Sequence, residues 1–111
     1  MTNIVKHCRN SFVGAVILFQ TGAGAAERNL LGQGKEAYDQ LCAHCHGIEL
    51  VNPGTSSFDL RQFPKDQMQR FYASVLAGKG SMPAWAGVIT QEELEAVWMY
   101  VATRAGKETP Q

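Results

Sequence analysis

A chain of 111 residues has room for one domain. Its hydrophobic content of 45% and formal net charge of zero exclude a disordered polymer and a nucleic-acid binder, because no basic stretch is present to neutralise phosphates.

Residues 1–26 read as a cleavable export signal. Lys6 and Arg9 supply a basic start, residues 12–19 a compact apolar run, and Ala23, Gly24, Ala25 and Ala26 a small-residue stretch ahead of Glu27 and Arg28. The run is shorter than the ~20 apolar residues a bilayer span requires, so stable membrane insertion is not expected. An uncleaved anchor or a buried helix is the alternative. Cleavage after Ala26 leaves residues 27–111 as the working domain. It removes Lys6, His7, Cys8 and Arg9, and leaves more acidic than basic residues.

The first helix is expected over residues 34–45, where Ala37, Tyr38 and Leu41 line one face and Lys35, Glu36, Asp39 and Gln40 the other. Residues 47–64 read as a long loop with a turn-forming cluster at Asn52, Pro53 and Gly54, long enough to wrap around something. A second helix is expected from Pro64 or Lys65 to a stop at Gly78, with Met68, Phe71, Tyr72, Val75 and Leu76 as its apolar stripe. A glycine-rich connection follows. Thr90 with Glu93 forms a capping box that starts the last helix, whose apolar face is Leu94, Val97, Trp98 and Val101. That helix is expected to fray after Arg104 into a tail over 106–111. Tyr38 and Trp98 are expected to meet where the first and last helices cross. The fold class is all-α, three to four short helices with two long loops.

The chemistry concentrates in Cys42-Ala43-His44-Cys45-His46. Two thiols three residues apart can add across the vinyl groups of a haem, and the next residue, His46, can then bind the iron. A disulfide closing so small a loop contributes little and leaves His46 without a role. A thioredoxin-like pair needs a strand–helix alternation that is missing. Zinc is disfavoured because four ligands within five consecutive residues do not readily close a tetrahedron.

The second axial ligand follows from position. His44 lies between the cysteines and cannot reach the opposite face, which leaves Met68, Met82 and Met99. Met68 and Met99 fall within helices at core spacing, whereas Met82 lies in a loop between Gly80 and Pro83. Met82 is therefore the expected ligand, with an iron otherwise ligated or open as the alternative. A thioether favours Fe(II) and, with both axial positions filled, makes a carrier and not an enzyme. Trp85 is a candidate to pack on the haem or donate to a propionate, and otherwise a core residue. Arg61 is a candidate propionate partner, and otherwise a surface partner of Asp59.

On these residues the chain, from about Gly32 to Arg104, resembles the small class I c-type cytochromes. The resemblance implies the cytochrome c fold, with the first and last helices crossing and one covalently bound haem c filling the core through Cys42 and Cys45. It also implies His46 as proximal and Met82 as distal ligand. The stretches 52–64 and 78–85 further resemble periplasmic cytochromes associated with quinoprotein alcohol dehydrogenases. That likeness implies a periplasmic monomer that accepts electrons from such a dehydrogenase and passes them toward a terminal oxidase. A haem enzyme or gas sensor with an open distal site, and an electron-entry subunit of a stable dehydrogenase complex, are the alternatives.

Overall fold

The computed structural model describes residues 14–17 and 22–110. Most of the expected export signal, including Lys6, His7, Cys8 and Arg9, lies outside the described residues. Four helices follow in chain order: α1 (Ala23–Leu41), α2 (Ala43–His46), α3 (Met68–Ala77) and α4 (Gln91–Ala102). Two short 3₁₀ turns, Ile48–Leu50 and Leu60–Gln62, lie in the connection between α2 and α3. No β-strand occurs among the described residues, so the all-α expectation holds.

The first helix differs from expectation at both ends. It begins at Ala23, not near Gly34, but residues 22–29 are exposed and packing starts only at Leu30. It also breaks at Cys42, whose φ of −117° departs from helical geometry, so the cysteine motif occupies a separate turn, α2.

Packing centres on the contact of α1 with α4. Gly34 is buried there, and a Cβ on it would lie 2.0 Å from the carbonyl oxygen of Ala96, so the two backbones touch. One turn further along, the rings of Tyr38 and Tyr100 sit 5.1 Å apart. This corrects the expected Tyr38–Trp98 contact. Trp98 points to the other flank of α4, toward Phe71 at 5.1 Å and Phe63 at 6.0 Å between ring centroids. Leu50, Leu94, Val97 and Val101 fill the space between, each almost wholly buried, and each such side chain contributes about 1.5–3 kcal/mol.

The capping box forms as expected. The Glu93 amide donates to Thr90 Oγ1 at 3.1 Å and the Thr90 amide donates to Glu93 Oε2 at 2.8 Å. The third helix starts later than Pro64 or Lys65 because residues 64–67 are spent on a turn. Gln67 N–H donates to Pro64 O, and Lys65 is drawn aside to the carboxylate of Glu108. Its stop at Gly78 is as expected, with φ of +75°.

The expected tail is instead part of the fold. Arg104, Ala105 and Gly106 all take positive φ, which turns the chain back on α4. Ala105 N–H donates to Tyr100 O and Glu108 N–H to Thr103 O, both at 2.8 Å. A Cβ on Gly106 would come 2.8 Å from the Leu31 side chain, so this turn rests on α1.

Candidate haem-attachment site

The turn α2 is closed by backbone bonds from Cys45 and His46 N–H to Cys42 O, at 3.2 and 2.9 Å. This brings Cys42, Cys45 and His46 into one helical turn. Cys42 is half-buried, Cys45 is exposed, and both are free thiols. Burial, followed by the proximity of Cys45, pushes the Cys42 thiol up to about 12. No group of three or more His, Cys, Asp and Glu side chains among the described residues is arranged to hold a metal ion.

The imidazole of His46 is oriented from behind. Its Nδ1 lies 2.9 Å from the carbonyl oxygen of Phe58. A carbonyl can only accept, so Nδ1 carries the hydrogen and the lone pair is left on Nε2. A ligand histidine that donates its other nitrogen to a carbonyl is the usual arrangement at a metal. The donor set thus fits a haem held by two thioethers and one imidazole.

The segment after the motif is held by side chains reaching from several positions. Tyr38 Oη donates to Gly47 O at 2.7 Å, and Thr55 Oγ1 donates to Cys45 O at 3.0 Å. Asn52 Oδ1 accepts from the amides of Gly54 and Thr55, and its Nδ2 donates to Ser57 O. The Asn52-Pro53-Gly54 cluster signalled this turn, but nothing local signalled the reach of Tyr38 or Thr55. At Gly47, with φ of +89°, a Cβ would meet Val51 O at 1.7 Å, so only glycine fits.

Met82 lies in the connection between α3 and α4, partly buried against the same core that Cys42, Ala43 and Trp85 pack on. Its backbone is tied to Lys79 in both directions, at 3.1 and 3.0 Å. A Cβ on Gly78 would lie 2.6 Å from Met82 O and 2.9 Å from Ala84 N, so the bare glycine allows the loop to fold across the end of α3. Trp85 N–H then donates to Val75 O at 2.9 Å. Met68, by contrast, is 37% exposed at the start of α3, and Met99 lies within α4.

Arg61 is exposed and paired with Asp59, through Nε at 2.9 Å and Nη2 at 2.8 Å. This bond holds the Asp59 carboxyl below its ordinary range. Arg61 faces a cleft of about 260 Å³ lined also by Glu49, Val51, Arg104, Lys107 and Glu108.

Known cytochromes are similar to this chain. The family model for cytochrome c oxidase, cbb3-type, subunit III matches residues 29–101. The chloroplast cytochrome c6 of Chlamydomonas reinhardtii is 35% identical over 99 residues, covering 84% of this chain and 67% of the relative. Cytochrome c6 of Microcystis aeruginosa is 35% identical over 78 residues, covering 67% of this chain and 96% of the relative. The quinohemoprotein alcohol dehydrogenase ADH-IIG of Pseudomonas putida is 32% identical over 74 residues, which is 65% of this chain but 10% of that protein. With two free thiols and a pre-oriented imidazole on one helical turn, the chain belongs to the small class I c-type cytochromes, electron carriers whose haem c is bound covalently, here through Cys42 and Cys45.

Proposed function

We propose that this cytochrome is a soluble periplasmic one-electron carrier in which His46 and Met82 hold the haem iron from opposite sides. The observation that carries the reading is the bond from His46 Nδ1 to Phe58 O, which fixes the tautomer with Nε2 free to ligate. When bound, haem c supplies the Fe(III)/Fe(II) couple. Cys42 and Cys45 anchor it, and His46 is aimed by the Phe58 carbonyl. Met82 would offer a neutral sulfur from a loop whose backbone is already closed, and with His46 and Met82 both held as ligands the protein would act as a carrier and not a catalyst.

Trp85, packed against the same core as Met82, is proposed as an aromatic wall beside the cofactor or a donor to a propionate. Arg61 spends Nε and Nη2 on Asp59, so a propionate would use Nη1.

Residues 1–26 are proposed as an export signal and 27–111 as the domain that works. In support, residues 14–17 and 22–29 are exposed. No helix among the described residues is long and apolar enough to cross a membrane. For the donor we propose a quinoprotein alcohol dehydrogenase, which the likeness to a tenth of the Pseudomonas putida protein supports. For the acceptor we propose a terminal oxidase, in line with the cbb3-type family description. Both likenesses also favour a second reading, a tightly held electron-entry subunit; co-elution with a dehydrogenase or oxidase on size exclusion would favour it over a free monomer.

Replacing Met82 by Ala tests the ligand assignment. The near-infrared sulfur–iron band of the oxidised holoprotein is expected to vanish and carbon monoxide to bind the reduced form rapidly. Survival of the band would transfer the role to Met68 or Met99, and rapid carbon monoxide binding by the unsubstituted protein would mean an open distal site.

A further inference from the structure

We infer that Arg104, at the far end of the chain, is a positioning residue for His46, acting through the carbonyl-lined turn between Phe58 and Phe63. This rests on His46 as the proximal ligand. Arg104 takes a φ of +51°, a conformation that is strained for a non-glycine residue and needs compensation. The compensation lies in its guanidinium. Nη2 donates to Phe63 O at 2.7 Å, while Nη1 donates to Leu60 O at 3.3 Å and Val101 O at 3.1 Å. Among the described residues it makes no ion pair, so its charge is directed at backbone carbonyls. Hydrogen bonds to an ionised donor are roughly twice as strong as neutral ones.

The carbonyls of Leu60 and Phe63 that Arg104 grips belong to a turn with little slack. The Asp59 carboxylate accepts from Arg61 N–H at 3.1 Å, and Gln62 N–H donates to Asp59 O at 3.0 Å. Phe63 N–H donates to Leu60 O at 3.2 Å. The residue immediately before this turn is Phe58, whose carbonyl receives the His46 Nδ1 hydrogen. One end of a rigid six-residue strap therefore orients the imidazole, and the other is clamped to α4 by a planar fork. Lengthening the Nδ1–H···O bond makes the imidazole a poorer donor and favours Fe(II).

The test uses holoprotein carrying Arg104→Gln and, separately, Arg104→Lys. In the Gln variant the Nδ1–H proton of His46, followed by NMR, is expected to exchange with solvent at least about tenfold faster. The reduction potential is expected to rise, with the sulfur–iron band intact. A lysine ammonium keeps the charge but cannot span both carbonyls, so its changes run in the same directions and are smaller. If the Gln variant does not accumulate, the Lys variant decides alone. A loss of thermal stability with exchange and potential both unmoved would make Arg104 a brace and overturn the inference. In the unsubstituted holoprotein, a haem-shifted Nδ1–H that does not assign to His46 would instead sink the ligand assignment.

Discussion

The two sides of the proposed iron site are held by different means. The chain from Cys42 to Phe63 is bound by side chains from several places: Tyr38 on Gly47, Thr55 on Cys45, His46 on Phe58, and Arg104 on Leu60 and Phe63. In the connection from Gly78 to Ile89 the hydrogen bonds are backbone to backbone, through Lys79 with Met82, Trp85 to Val75, and Ala86 to Leu76, while Met82, Trp85 and Ile89 pack on the core. Side chains reaching from separate elements couple the imidazole to the whole fold. The backbone bonds of the distal connection run within that connection and to the end of α3. On the proposed ligand assignment, the His46 side is expected to yield only with the fold, whereas the Met82 sulfur is expected to detach while the fold survives.

The comparison can be broken most forcefully at Gly47. Gly47→Ala places a Cβ 1.7 Å from Val51 O at a φ of +89°, and the expected result is loss of folded holoprotein in a haem-stained expression assay. Gly78→Ala is the matching insult on the distal side, with 2.6 Å to Met82 O. It is expected to cost about 2–3 kcal/mol in denaturant unfolding and to weaken the sulfur–iron band while the attached haem stays. Equal loss of haem in both would erase the distinction. Tyr38→Phe removes a donor from Gly47 O and is expected to cost about 1–2 kcal/mol by thermal melting, with the sulfur–iron band unchanged.

The smallest effect is expected from acid. Lys65 holds the Glu108 carboxyl below its ordinary value of 4.5, so the contact is fully present above that value and is lost as pH falls through the lower folded one. Faster amide exchange at Glu108 in that acid window, with Cys45 and His46 amides unaffected, would localise the loss to the C-terminal turn.

Much of this was legible in the sequence where a local pattern has one physical solution. The Thr90–Glu93 capping box, the Gly78 stop and the cysteine motif are all of that kind. The start of α1 was not, because Gly32 and Gly34 depress helix propensity, and the reason for Gly34 lies across the molecule at Ala96. The Tyr38 partner was misread because α4 is apolar over most of its circumference, with Trp98 on one flank of Leu94, Val97 and Val101 and Tyr100 on the other. Periodicity defines such a band but not which flank meets which neighbour. The turn at Arg104 and Ala105 had no local signal, since neither residue favours positive φ; it is held by the carbonyls of Leu60, Phe63 and Val101 on the Arg104 guanidinium and by the bonds of Ala105 and Glu108 N–H to Tyr100 O and Thr103 O.

The close approach of Gly34 to Ala96 has a consequence for biogenesis. It joins the earliest packed helix to the last one, so the crevice between them exists only after nearly all of the polypeptide is available. Contacts this distant in sequence close late, after local turns such as α2 have had time to form and fray. Until that closure, Cys42 lacks the neighbours that shield it, and both thiols are open to reaction.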